Sequence, residues 1–195
     1  MPRIFVALPL SPEAATAVAA ALPDLPGLKR VSPELLHLTL AFVGGIDEQR
    51  VGEVEAAARS AGGSARPFRV PLGPLGRFPP NGPPTVVWAG TGAAAAGIER
   101  LGGAVRRELE SAGVPFDPKP LRPHVTLARV RERATPEEAR AIAAAVAAAT
   151  VPAGLGFAAD AIEVVESVLG REGPRYRLRG RYRLTGEGQR PGPGL

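Results

Sequence analysis

The chain has 195 residues, 45% of them hydrophobic, a formal net charge of +5 and no cysteine. That length accommodates one sizeable domain or two small lobes sharing a core, and the missing cysteine removes disulfides, thiolate nucleophiles and sulfur-ligated zinc. The basic balance suits an anionic partner such as nucleic acid, but Lys29 and Lys119 are the only lysines amid abundant Ala, Gly and Pro, so only the placement of the arginines is informative.

The N-terminal apolar run is too short for a signal peptide and no later segment is long enough to span a bilayer; the expectation is a cytoplasmic protein with no membrane partner. Residues 3–8 alternate as a strand does. Ser11-Pro12-Glu13 opens a helix, with serine as cap, proline at the first helical position and glutamate at the positive end of the dipole. Residues 36–43 form an apolar strand punctuated by His37 and Thr39 and closed by Gly44-Gly45. Asp47 is the expected cap of a helix running to about residue 61, ended by Gly62-Gly63, and residues 68–75 read as one further strand.

The second half repeats this order. Residues 85–90 form a strand, and Ile98, Leu101, Val105 and Leu109 make one helix face stopped by Gly113. Residues 121–130 carry the second histidine. Thr135-Pro136-Glu137-Glu138 combines a capping box with proline at the first helical position, and a strand over residues 161–169 follows. The pattern predicts an internal duplication: two lobes facing each other across a pseudo-twofold cleft, together one domain over residues 1–185, followed by a disordered tail over 186–195. The Pro- and Gly-rich stretch 76–84 reads as a linker or as a cleft rim offering Arg77 and Phe78 to a ligand.

The only two histidines lie in matching tetrapeptides, His37-Leu38-Thr39-Leu40 and His124-Val125-Thr126-Leu127, with the histidines 87 positions apart. Strand parity sets His37 with Thr39 and His124 with Thr126 on one face, while the aliphatic residues anchor the other. Imidazole titrates near neutrality and is the natural general acid or base. Two imidazoles and two hydroxyls about a cleft centre suit in-line displacement at phosphorus: one histidine takes a proton from water, the other protonates the leaving oxygen, and Thr39 and Thr126 hold the non-bridging oxygens. Two isolated histidines without a carboxylate cluster make a poor metal site, so neither metal nor cofactor is expected. The competing interpretation, two packed strand histidines left over from duplication, loses most of its weight because both fall at matched positions.

These motifs, with Arg3-Ile4-Phe5-Val6-Ala7-Leu8, Val86-Val87-Trp88-Ala89-Gly90 and Arg122-Pro123-His124-Val125-Thr126-Leu127-Ala128-Arg129, resemble the two-histidine phosphoesterase superfamily, and within it the RNA 2',3'-cyclic phosphodiesterases formerly called 2'-5' RNA ligases. The resemblance implies an α+β fold, bilobal by internal duplication, with two antiparallel sheets lining a central cleft and helices packed outside. It implies hydrolysis of RNA 2',3'-cyclic phosphate ends to 2'-phosphate, with His37 as proton donor and His124 as proton acceptor. It also makes Arg129 a substrate contact, although simple parity sets Arg129 opposite His124, so a bulge or strand end is required to bring it round. Phe42 has the matching offset in the first half and either stacks on a base or packs in the core.

Two further readings stay open. Arg175, Arg177, Arg179, Arg181 and Arg183 alternate with other residues, putting five guanidiniums on one strand face, either as an RNA backbone track or as the charged guard of an edge strand. The alternatives to the leading activity are a phosphodiesterase or ligase acting on other 2',3'-cyclic or 2'-5' linked nucleotides, and a non-catalytic RNA-end binding module.

Overall fold

The structure is a computed structural model that describes residues 1–170 and 173–186, save the side chain of Leu169. The expected tail lies, apart from Gly186, outside the described residues. The elements are β1 (Arg3–Pro9), α1 (Pro12–Ala20), β2 (Leu28–Arg30), β3 (His37–Gly45), α2 (Val51–Ser64), β4 (Phe68–Pro71), β5 (Leu75–Phe78), β6 (Val86–Ala89), α3 (Ala95–Ser111), β7 (Val125–Val130), α4 (Pro136–Ala148), β8 (Gly156–Ala159), β9 (Ala161–Gly170) and β10 (Gly173–Arg183).

The local signals act largely as read. Ser11 Oγ accepts from Ala14 N at 3.3 Å, with Pro12 at the first helical position. Thr135 and Glu138 close a reciprocal capping box, with N–H to oxygen distances of 3.2 and 2.8 Å. Ile98, Leu101, Val105 and Leu109 are all buried beneath α3. Asp47 departs from expectation: its side chain makes no cap bond, and a 3₁₀ turn over Glu48–Arg50 leads into α2. Gly62 and Gly63 do not end that helix, which runs on to Ser64. Gly62 serves packing, since a Cβ there would lie 2.9 Å from the carbonyl oxygen of Arg183 on β10.

The fold is α+β, with all strand pairs antiparallel. One half-sheet has the order β10-β9-β1-β3 and the other β7-β6-β5, with β2 also on β7. They meet at a single residue pair, Leu38 with Val125. Each half of the sequence lends strands to the other half-sheet: β5 pairs with β6, and β9, with β10 on its outer edge, pairs with β1. The expected single strand over 68–75 is therefore two strands. Pro71 and Pro74 flank the break, where proline has no N–H for a ladder, and β4 leaves to form a small sheet with β8.

One face of the main sheet carries the core. Ile4, Val6, Leu8, Leu38, Leu40, Val125 and Leu127 are at most 2% exposed, and they pack in one cluster with Val54 of α2, Ile98 of α3 and Ile142 of α4. Close packing of α3 is set by Gly102, where a Cβ would meet Leu121 at 2.5 Å and the Leu40 carbonyl oxygen at 3.5 Å. The other face, floored by Phe5, Ala7 and Val165 with Tyr176 against them, carries the histidines.

Candidate active site

His37 opens β3 and His124 immediately precedes β7. Both rings are pinned in the same way. The Nδ1 of His37 lies 2.8 Å from the carbonyl oxygen of Leu35, and the Nδ1 of His124 lies 2.6 Å from that of Arg122. A carbonyl can only accept, so Nδ1 carries the proton in each case and Nε2 is the atom left for chemistry.

Each ring also rests against aromatic neighbours. His37 tilts against Phe5 at 4.6 Å between centroids and meets Tyr176 edge-on at 5.3 Å. His124 meets Phe78 edge-on at 5.2 Å and Trp88 at 6.3 Å. Phe78, expected at the rim, therefore touches a histidine, whereas Arg77 beside it donates to the carbonyls of Pro79 and Gly82 in its own loop. Sequence reading missed Phe5, Trp88 and Tyr176 as neighbours of the site. The available signal was parity: Trp88 pairs with Thr126, and Phe5 lies two residues before Ala7, the partner of Thr39.

Thr39 and Thr126 are half-buried on the face of the histidines, and Leu38, Leu40, Val125 and Leu127 are buried on the other. The alternation then breaks at the same place in both strands. Against β1, Val6 pairs with Ala41 and Ala7 with Thr39, leaving Leu40 as an extra residue. Against β6, Val87 pairs with Ala128 and Trp88 with Thr126, leaving Leu127 as an extra residue. These matched bulges bury two consecutive residues and turn the next one outward. The residue turned out is Phe42 in β3, 38% exposed, and Arg129 in β7, also exposed. The bulge supplies the reversal that Arg129 needs, and its charge acts on the Tyr176 hydroxyl, opposing the burial that raises that group's pKa. The ring of Phe42 lies under the guanidinium of Arg3 at 5.9 Å, at the surface rather than in the core.

Burial lowers the pKa of His37 from its ordinary 6.5; the Leu35 bond partly offsets this, and the positive charge available to His124 lowers it further. The two histidines thus resist being charged together. Beside His37 a cavity of about 520 Å³ is lined by Phe5, Glu163, Val165, Tyr176 and Leu178 among others, and burial raises the pKa of Glu163 despite its pairing with Arg181 at 3.2 Å. No group of three His, Cys, Asp or Glu side chains capable of holding a metal occurs among the described residues.

The five alternating arginines do not share one face. Leu178 pairs with Val165 and Gly180 with Val164, so Arg179 is an inserted residue and parity reverses there. Tyr176 and Leu178 line the cavity by His37, whereas beyond the bulge Tyr182 turns to α2 and donates to Glu55 at 3.2 Å. Arg179 joins Glu48 and lies 3.1 Å from Glu166, and its hydrogen bond holds the Glu48 carboxyl below the usual range.

A family model for the 2'-5' RNA ligase superfamily matches residues 9–171. The chain belongs to this superfamily. A relative from Thermus thermophilus, named RNA 2',3'-cyclic phosphodiesterase, is 32% identical over 98% of this chain and 96% of its own length. One of the same name from Aeropyrum pernix is 34% identical over 77% and 82%. Among solved structures, a Thermus thermophilus protein superposes with a TM-score of 0.76 at 29% identity, covering 95% of this chain and 99% of that one. The E. coli LigT structure complexed with 3'-AMP shares the fold, with a TM-score of 0.73 at 24% identity, covering 95% and 99%. Within the superfamily fold, this chain's two motifs occupy the join between its half-sheets. No helix among the described residues is long and apolar enough to cross a membrane.

Proposed function

We propose that the chain hydrolyses RNA ends bearing a 2',3'-cyclic phosphate to a 2'-phosphate, with residues 1–185 working as one bilobal unit. The observation that carries this reading is the shared geometry of His37 and His124, each with Nδ1 committed to a carbonyl two residues back and Nε2 free on the face of Thr39 and Thr126. The names of the relatives support the same substrate class.

In the proposed reaction, Nε2 of neutral His124 takes a proton from water as the water oxygen bonds to phosphorus. The bond from phosphorus to the 3'-oxygen breaks, and Nε2–H of charged His37 protonates that oxygen, leaving a 2'-phosphate and a 3'-hydroxyl. Solvent then returns the proton from His124 to His37. The hydroxyls of Thr39 and Thr126 donate to the non-bridging oxygens as charge develops. Mutual repulsion of the histidines disfavours the doubly protonated pair, and the reaction starts from a pair carrying one proton, on His37. Burial lowers the pKa of free His37, so its acid role relies on the anionic phosphate, whose charge stabilises the imidazolium on binding. Arg129 is assigned a contact to a backbone phosphate and Phe42 a stacking contact to a base. No step is assigned to a metal or cofactor, because the donor set offers only two separated histidines.

The test is incubation with an RNA ending in a 2',3'-cyclic phosphate, with and without chelator, and identification of the product. A 2'-phosphate end in both conditions is the expected result. A 3'-phosphate product sinks the assignment of the cut bond, and loss of activity with chelator sinks the metal-free mechanism.

A further inference from the structure

A second cavity, of about 750 Å³, opens between the end of α2, β4 and α3. It belongs to the helical layer: α3 packs over the Leu40 carbonyl through Gly102, on the buried side of β3 and away from His37 and Thr39. Its floor is made of small residues, including Ala94, Gly97 and Ala104, with the ring of Phe68 lying against Gly97, where a Cβ would be 3.4 Å away. Two arginines stand on each wall: Arg66 and Arg69 before and within β4, and Arg100 and Arg107 on α3. All four are exposed, and no Asp or Glu lines the cavity.

This arrangement differs from Arg179 and Arg181 of β10, which are met by Glu48, Glu166, Asp160 and Glu163. Arg69 donates to the carbonyl of Gly154, which leaves its charge uncompensated, and among the described residues no carboxylate pairs with Arg66, Arg100 or Arg107. Arg100 and Arg107 are two helical turns apart, about 10 Å along the axis, on one side of α3. Like charges converging on a groove repel one another, and a polyanion is the ligand that relieves the repulsion. Planar guanidiniums match phosphate geometry, a floor of small side chains permits a backbone to approach closely, and Phe68 offers a face for one base.

We propose that this groove is a second RNA-binding site, which holds the sugar-phosphate backbone of the substrate RNA away from its reacting end. The identity of the polyanion rests on the proposed function, since an enzyme acting on RNA ends meets the RNA body with every substrate. The site therefore discriminates by length: it tightens long RNAs and is indifferent to a cyclic mononucleotide.

The experiment compares the full chain with R66A/R69A/R100A/R107A and with R133A/R140A, which removes exposed charge elsewhere. Equilibrium binding of an unreactive RNA of about 30 nucleotides with a 3'-hydroxyl end is followed across salt concentrations, and hydrolysis of a 2',3'-cyclic mononucleotide is measured in parallel. The expected result is at least about a tenfold rise in Kd for the quadruple variant, with the slope of log K against log salt shallower by roughly 3, and unchanged kcat and KM on the mononucleotide. Unchanged affinity and slope overturn the proposal, as does an equal loss per charge removed in R133A/R140A. Because binding is read without turnover, a protein inactive on cyclic phosphates that still loses RNA affinity in the quadruple variant supports the groove while refuting the activity.

Discussion

Leu38 and Val125 form the single residue pair that joins the two half-sheets. That one antiparallel pair lies inside both tetrapeptides, so it brings the His37-Thr39 motif and the His124-Thr126 motif side by side at the join. Both joining side chains are 0% exposed, so the core on one face holds the alignment of the polar groups on the other.

Leu38→Ala is expected to cost about 2–5 kcal/mol by leaving a cavity in that core. It should also lower kcat more than Leu109→Ala, which empties an equally buried position remote from the join. Thermal melts and initial rates on the two variants check this; equal kcat values would show that the join does not position the site.

His37→Ala and His124→Ala should each reduce kcat by roughly 10²- to 10⁴-fold, the usual worth of one acid or base, with melting transitions close to that of the parent. Thr39→Val and Thr126→Val remove one hydroxyl donor each at nearly constant volume and should cost about 10²-fold in kcat. Near-normal turnover in either histidine variant is incompatible with a paired acid and base.

Burial of His37 makes stability depend on pH in a definite direction. Its folded pKa lies below the unfolded value of 6.5, so the unfolded chain binds the proton more tightly and stability falls as pH drops through 6.5 toward the folded pKa. Above about 6.5 the group contributes no pH dependence. His37→Gln should flatten that part of the stability profile between neutral pH and pH 5, measured as the difference from the parent so that carboxylate titrations cancel.

Arg129→Ala should raise KM for a cyclic-phosphate oligonucleotide by roughly 10-fold or more, the loss of one charge-assisted contact, with a smaller change in kcat. An unchanged KM would remove Arg129 from the substrate contacts, whatever its position on the cleft face.

Gly76→Ala places a methyl 2.3 Å from the ring of Trp88, so the indole must move from its place beside His124. Trp88 is the only tryptophan, and its emission should shift in this variant, together with a fall in kcat. An unchanged spectrum would mean the ring is accommodated elsewhere.

The α+β fold class, the superfamily and the paired motifs were legible in the sequence because the signals are local. Two histidines in duplicated tetrapeptides, strand parity that separates His37 and Thr39 from Leu38 and Leu40, and the caps at Ser11 and Thr135 all follow from backbone geometry over a few residues. Long-range pairing is not encoded over so short a span. That β5 and β9 exchange between half-sheets, that bulges at Leu40 and Leu127 turn Phe42 and Arg129 to the histidine face, and that Arg179 interrupts the arginine row depend on which strand lies alongside and how closely it packs. A bulge is one extra residue relative to a partner, so it exists only when the partner is known. The tertiary structure alone decided which side chains beyond the two motifs reach the cleft, because one inserted residue reverses every orientation after it.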